Sequence, residues 1–139
     1  MFQKLKIKPA KEHDAKKVAR LFSAIDRKIT PKKVMRLINE KKVYIMKDKK
    51  RIRAAFVYSV ISILGFISIM YIHKLAVAPE LQGQGIGTFI LSRIRKNALK
   101  TGVVAIFLYS LDKAKRFYEK NHLKRIWRFF WCRPDKADY

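Results

Sequence analysis

Apolar residues recur along this chain in distinct rhythms, and each rhythm predicts an element. From Phe2 to Lys8, Leu5 and Ile7 alternate with Lys4, Lys6 and Lys8, the two-residue period of a half-exposed strand. Glu12 to Asp26 places Val18, Leu21, Phe22 and Ile25 on one helical face. Thr30 followed by Pro31 reads as an N-cap and first helical residue, opening a short helix that presents Val34, Leu37 and Ile38. Lys41 to Asp48 reads as a strand around Val43-Tyr44-Ile45-Met46, and the basic run from Lys47 to Arg53 holds a turn. Two longer strands fill Ile52 to Ala78, and a glycine-rich loop follows. Ile86, Phe89, Ile90 and Ile94 then set the spacing of a helix that runs to about Lys100, with Gly102 as its C-cap. Val103 to Leu108 is a buried strand, and Ser110 or Asp112 can cap the helix after it. Leu123 to Cys132 is a last strand rich in aromatics (Trp127, Phe129, Phe130 and Trp131), ended by Pro134 and a loose tail to Tyr139. No internal repeat or long linker interrupts this order, so the 139 residues read as a single α/β domain.

One stretch admits two rhythms. Ala54 to Ile72 is 19 residues without a charge, long enough for a membrane helix. Its β-branched and aromatic content, its interspersed serines Ser59, Ser62 and Ser68, and Gly65 near its middle favour two antiparallel strands meeting near that glycine. The expectation is therefore no membrane partner.

Charge changes the picture more than size does. Lys and Arg number 33 against 10 acids, a net charge of +23. Such a balance predicts salt-dependent attraction to polyanions, so nucleic acid is a partner to test, and it disfavours cationic small substrates such as polyamines. A solvated Lys-rich surface accounts for the same numbers. Only four of the acids are Glu, too few for a thermophilic ion-pair network. Cys132 is the lone cysteine, which excludes a disulfide framework and a Cys-based metal site. Met1 to Ile7 holds no apolar block of a secretory signal, which makes the cytoplasm the expected compartment.

The chemistry concentrates between His73 and Thr88. The apolar run Leu75-Ala76-Val77-Ala78 is stopped by Pro79, and Gly83, Gly85 and Gly87 then occupy alternate positions before the helix. A strand, a glycine loop and a helix N-terminus together expose backbone N–H groups where the helix dipole favours an anion. Glycines let the backbone curl round a phosphate, so the loop reads as a pyrophosphate cradle. The spacing is not the G-x-G-x-x-G of dinucleotide-binding folds, and no acid lies between Glu80 and Asp112. The Gly-Lys-Ser/Thr ending of a P-loop is also absent. A turn without a ligand is the plain alternative.

Val77-Ala78-Pro79-Glu80-Leu81-Gln82-Gly83-Gln84-Gly85-Ile86-Gly87 closely resembles motif A of the GNAT superfamily of N-acetyltransferases, V-x-P-x-x-Q/R-G-x-G-x-G/A. Downstream, Ala114-Lys115-Arg116-Phe117-Tyr118-Glu119-Lys120-Asn121-His122-Leu123 resembles motif B, A-x-x-F-Y-E-K-x-G-F. The resemblance implies an α/β (α+β) fold with a mixed, mostly antiparallel sheet of about six or seven strands and about four helices, with the fourth and fifth strands splayed for CoA. It implies acetyl transfer from acetyl-CoA, without a metal, to a primary amine: a protein N-terminus, a lysine or a small amine.

The same resemblance assigns roles. Gln82, Gly83, Gln84, Gly85, Ile86, Gly87 and Thr88 would hold the pyrophosphate, and Leu75, Ala76 and Val77 would pair with the pantetheine arm. A backbone N–H near Leu75 would polarise the thioester carbonyl. Ala114, Phe117 and Lys120 would meet CoA, although Lys120 can equally be a solvated lysine. Tyr118 would be the general acid toward the leaving thiolate; its alternative is a core aromatic beside Phe117. The family often carries an acidic base on the motif A strand. Here no acid occurs from Lys49 through Pro79, and His73 stands where such acids often sit, on the same strand face as Tyr71. An imidazole titrating near about 6.5 could serve as base, or water could. Two further departures are Leu111 in place of an asparagine and His122-Leu123 in place of Gly-Phe. Besides the enzyme, two readings stand: a non-catalytic GNAT module binding CoA or a polyanion, and a nucleic-acid binder without CoA. The aromatic last strand is also compatible with a homodimer.

Overall fold

The charge-free stretch folds as strand, turn, strand, and the rest of the sheet grows from it. The computed structural model describes residues 6–111 and 114–134. In chain order these form β1 (Lys6–Pro9), α1 (Ala15–Phe22), α2 (Pro31–Asn39), β2 (Val43–Asp48), β3 (Arg51–Ile63), β4 (Ile67–Val77), α3 (Ile86–Lys100), β5 (Ala105–Tyr109), α4 (Lys115–Lys120), β6 (Lys124–Ile126) and β7 (Phe129–Cys132). The seven strands make one sheet in the order β1-β2-β3-β4-β5-β7-β6. β4 and β5 run parallel, from Ile69↔Ala105 to Ile72↔Leu108, while β1–β2, β2–β3, β5–β7 and β6–β7 are antiparallel. This is the mixed, mostly antiparallel sheet with four helices that the resemblance implies. No helix among the described residues is long and apolar enough to cross a membrane.

β3 and β4 meet at Leu64 and Gly65, with φ of +55° and +79°, and Phe66 N–H donates to the Ile63 carbonyl at 3.3 Å. Two successive left-handed residues are what a tight hairpin turn needs to match strand twist.

The chain divides into two compact units, Met1–Tyr58 with Lys74–Gly87, and Ser59–His73 with Thr88–Tyr139. In the first, α1 buries Ala15, Val18, Ala19 and Phe22, and α2 buries Val34 and Ile38, in one cluster with Val43, Ile45, Ala55, Val57 and Ala76. Thr30 caps α2, its hydroxyl accepting from Lys33 N–H at 3.2 Å. Asp14 is buried ahead of α1 and accepts from Lys11 N–H and from Lys47 Nζ, both at 2.9 Å.

In the second unit, α3 buries Ile90, Leu91, Ile94 and Ala98, and β5 and β7 bury Ile106, Leu108, Phe130 and Cys132. Gly102 (φ +78°) ends α3 as expected: its N–H donates to Leu99 and that of Val103 to Ala98, the paired bonds of a Schellman motif. α4 ends the same way on His122 (φ +65°), with His122 N–H to Glu119 and Leu123 N–H to Tyr118. The motif B glycine is thus replaced without loss of the turn it would make.

Four details differ from the sequence expectations. The strand expected to be buried over Val103–Leu108 is β5 at Ala105–Tyr109, which buries Ile106 and Leu108 on one face and leaves Tyr109 exposed. α1 stops at Phe22 and gives way to a turn, in which Ile25 and Asp26 N–H share the Phe22 carbonyl. The last strand is a hairpin, β6 and β7, with Trp127 at φ +56° in the turn. Ser110 does not cap α4, since its hydroxyl donates to the Leu111 carbonyl at 2.9 Å; the alternative cap, Asp112, lies outside the described residues, as do 2–5 and the tail 135–139.

Candidate acetyl-CoA site

The glycine loop is a sequence of tight turns tied down at its entrance. Ala78 N–H donates to the Arg53 carbonyl at 2.8 Å, Pro79–Leu81 form one turn of 3-10 helix, and α3 starts at Ile86. Arg53 also reaches Glu80 Oε1 at 3.4 Å and Asp48 Oδ2 at 3.6 Å, so the loop's first turn is held against β3. Gly83 and Gly85 take φ of +81° and +84°. Nothing lies within 4 Å of a Cβ built on Gly83, so its backbone conformation, not crowding, calls for glycine there. Gly87 already lies inside α3. Gln82, Gly83, Gln84, Gly85 and Thr88 are exposed and Ile86 is buried, which anchors the helix start while the loop faces outward. The start of an α-helix presents N–H groups with no carbonyl four residues back within the helix, the arrangement that meets an anion. The Gln82 and Gln84 amides instead fold back, donating to the Val77 and Glu80 carbonyls at 3.1 Å each. These glutamines brace the loop through their side chains.

Along β4, Leu75 and Val77 are half-buried and Ala76 is buried. Lys74 Nζ pairs with Asp26 Oδ2 at 2.8 Å. The Lys74 hydrogen bond, outweighing burial, holds the Asp26 carboxyl below its ordinary value, with the Lys28 N–H helping. Sequence reasoning missed this pair because its members stand far apart in the chain, and only the α1–α2 connection brings the carboxylate to β4.

His73 is exposed, and its Nε2 lies 2.8 Å from Ser59 Oγ. Its ring meets Tyr71 edge-on with centroids 4.8 Å apart, as the shared strand face requires. Ser59, a second missed residue, orients the imidazole. Tyr118 is buried in α4 with Phe117 and Phe130 rings at 5.1 and 5.6 Å, and burial pushes its phenol up to about 12. A phenol so placed keeps its proton throughout the neutral range. Ala114 and Phe117 are half-buried and Lys120 is exposed. Among the described residues no group of three or more His, Cys, Asp or Glu is placed to hold a metal. Cys132 is buried, and burial raises its thiol against the opposing influence of Arg95.

Residues 39–122, more than half the chain and spanning both motifs, match the acetyltransferase (GNAT) domain family. The chain belongs to that family. Solved structures share the fold of this chain. Ard1 from Thermoplasma volcanium aligns with a TM-score of 0.79 at 14% identity, over 93% of this chain and 97% of its own. A tetramutant of the BH1408 protein from Bacillus halodurans gives 0.74 at 22%, over 86% and 94%. AtaTR, solved bound with AcCoA, gives 0.71 at 16%, over 96% and 95%. No curated protein sequence matches significantly.

Proposed function

We propose that this GNAT protein is a cytoplasmic, single-domain N-acetyltransferase that moves the acetyl group of acetyl-CoA directly to a primary amine. The observation that carries the reading is the cradle: left-handed Gly83 and Gly85 between the end of β4 and the N-terminus of α3. Backbone N–H groups from Gln82 to Thr88 would hold the pyrophosphate, with the Thr88 hydroxyl beside them. The Leu75–Val77 backbone would pair with the pantetheine arm; by the motif B resemblance Ala114, Phe117 and Lys120 would also meet CoA. Acetyl-CoA supplies the activated thioester. His73, held by Ser59, accepts the proton of the incoming ammonium, and Tyr118 holds a proton at its hydroxyl oxygen for the departing thiolate. The +23 charge favours an anionic or macromolecular acceptor over a cationic one.

A non-catalytic CoA-binding module is the second reading. The motif A strand carries Lys74 bound to Asp26 and no acid of its own, which favours it. Turnover separates the two: CoA release from acetyl-CoA in an amine screen supports the enzyme, whereas salt-resistant acetyl-CoA binding with no transfer to any amine supports the module.

A further inference from the structure

The rings that β5 and β7 carry in this sheet have no part in the acetyl-transfer reading, although Tyr71, in the same row, stands beside His73. Strand alternation in the second unit buries Met70, Ile72, Ile106, Leu108, Phe130 and Cys132 on one face. The opposite face of a half-solvated sheet is ordinarily polar. Here it is aromatic. The registers Tyr71↔Phe107, Phe107↔Trp131 and Trp131↔Lys124 set one row across four strands, three rings and an ammonium. Tyr109 and Phe129 pair in the next row, with ring centroids 5.5 Å apart. Phe107 and Trp131 lie nearly parallel at 6.3 Å, and Lys124 Nζ sits 5.6 Å from the Trp131 ring centroid. Phe107 and Trp131 are half-buried, Tyr109 is 44% exposed, and Trp127, with the Arg128 guanidinium at 5.2 Å and the Phe129 ring at 6.4 Å, is 71% exposed.

Charge selects the occupant. No Asp or Glu occurs in β4, β5, β6 or β7, while Lys124, Arg125 and Arg128 cluster at the β6–β7 end. A second copy of the chain would bring the same positive charge to this face. An unpaired nucleic-acid strand brings base faces for the rings and phosphates for the cations, the combination that single-strand binders use. We propose that the outward face of β4, β5, β7 and β6 docks an unpaired nucleic-acid strand, bases stacked on Phe107 and Trp131 and phosphates met by Lys124 and Arg128. The inference stands without acetyl-CoA, so its failure and that of the enzyme reading are separate results.

The test is fluorescence anisotropy of the full chain with a fluorescein-labelled single-stranded RNA oligonucleotide, titrated across a salt series without acetyl-CoA. The expected result is tighter binding to the single strand than to its duplex at moderate salt. Trp131→Leu and Phe107→Leu should each weaken single-strand binding about tenfold with the salt slope unchanged. Lys124→Ala should flatten the slope of log affinity against log salt by about 0.7. Circular dichroism confirms that the variants fold; if they do not, tryptophan quenching in the unmodified protein on adding the oligonucleotide carries the test. Equal affinity for strand and duplex, ring variants without effect, or absent quenching would overturn the proposal, as would tighter binding to phosphatidylserine vesicles or self-association through this face in sedimentation.

Discussion

At the scale of single residues, Tyr118 and His122 show how one position can carry chemistry or conformation. Burial that lifts the Tyr118 phenol to about 12 also keeps it a donor at every working pH. Its removal in Tyr118→Phe preserves the ring contacts to Phe117 and Phe130, so the expected loss falls on kcat, about 100-fold, with the KM for acetyl-CoA little changed. Steady-state kinetics with any acceptor found by screening will show this; an unchanged kcat would reduce Tyr118 to a core aromatic. His73→Ala should lower kcat about 100-fold if the imidazole is the base, and an unchanged kcat would leave that role to water. On the alkaline side no decline from Tyr118 is expected until the pH approaches 12. His122 makes a different point. A β-carbon in the left-handed region costs about 1 kcal/mol, and His122 adopts φ +65° only because the Schellman bonds of α4 require it. His122→Gly should therefore raise stability by about 1 kcal/mol in urea titration.

At the scale of elements, the cradle works because two glycines and a helix start are consecutive. Gly83→Ala and Gly85→Ala each place a β-carbon at φ above +80°, and each should lower acetyl-CoA affinity about tenfold or more in calorimetry, while Gly83→Asn should lose less. Much of this was legible from letters. Period-two and helical rhythms found most elements, Gly102 marked the end of α3, and the spacing of Gly83 and Gly85 marked the loop. What the sequence hid was mostly nonlocal or a matter of ends. The break between β6 and β7 falls on Trp127 and Arg128, neither of which is a usual turn residue. The end of α1 at Phe22 depends on a turn that an apolar Ile25 disguises. Ser59 beside His73 and Asp26 beside Lys74 are tertiary pairs, invisible to any local pattern. The resemblance to motif A brought the cradle within reach, whereas the face to which each strand's aromatics turn required the registers.

For the whole molecule, charge is the governing quantity. Ten acids must serve 33 basic residues, so individual carboxylates carry unusual weight. Burial raises the Asp14 carboxyl, but the Lys11 N–H bond and the Lys47 ammonium together hold it below the ordinary 3.8, and Asp26 is likewise depressed by Lys74. A depressed native value means stability that is present above pH 3.8 and lost as the pH falls through the lower native values. Urea midpoints should therefore drop on acidification below about pH 4, and Asp14→Asn should remove part of that dependence at a cost of about 1–3 kcal/mol near neutrality. The same positive charge attracts any anion at low salt, so affinity for acetyl-CoA is informative only where the field is screened. The measurement to make first is calorimetric titration with acetyl-CoA at moderate salt, after removal of copurified nucleotide and against ADP as the control. Binding that survives salt, exceeds that of ADP and is weakened by Gly83→Ala is the predicted result. Binding that vanishes with salt, or that ADP matches, would contradict an acetyl-CoA cradle.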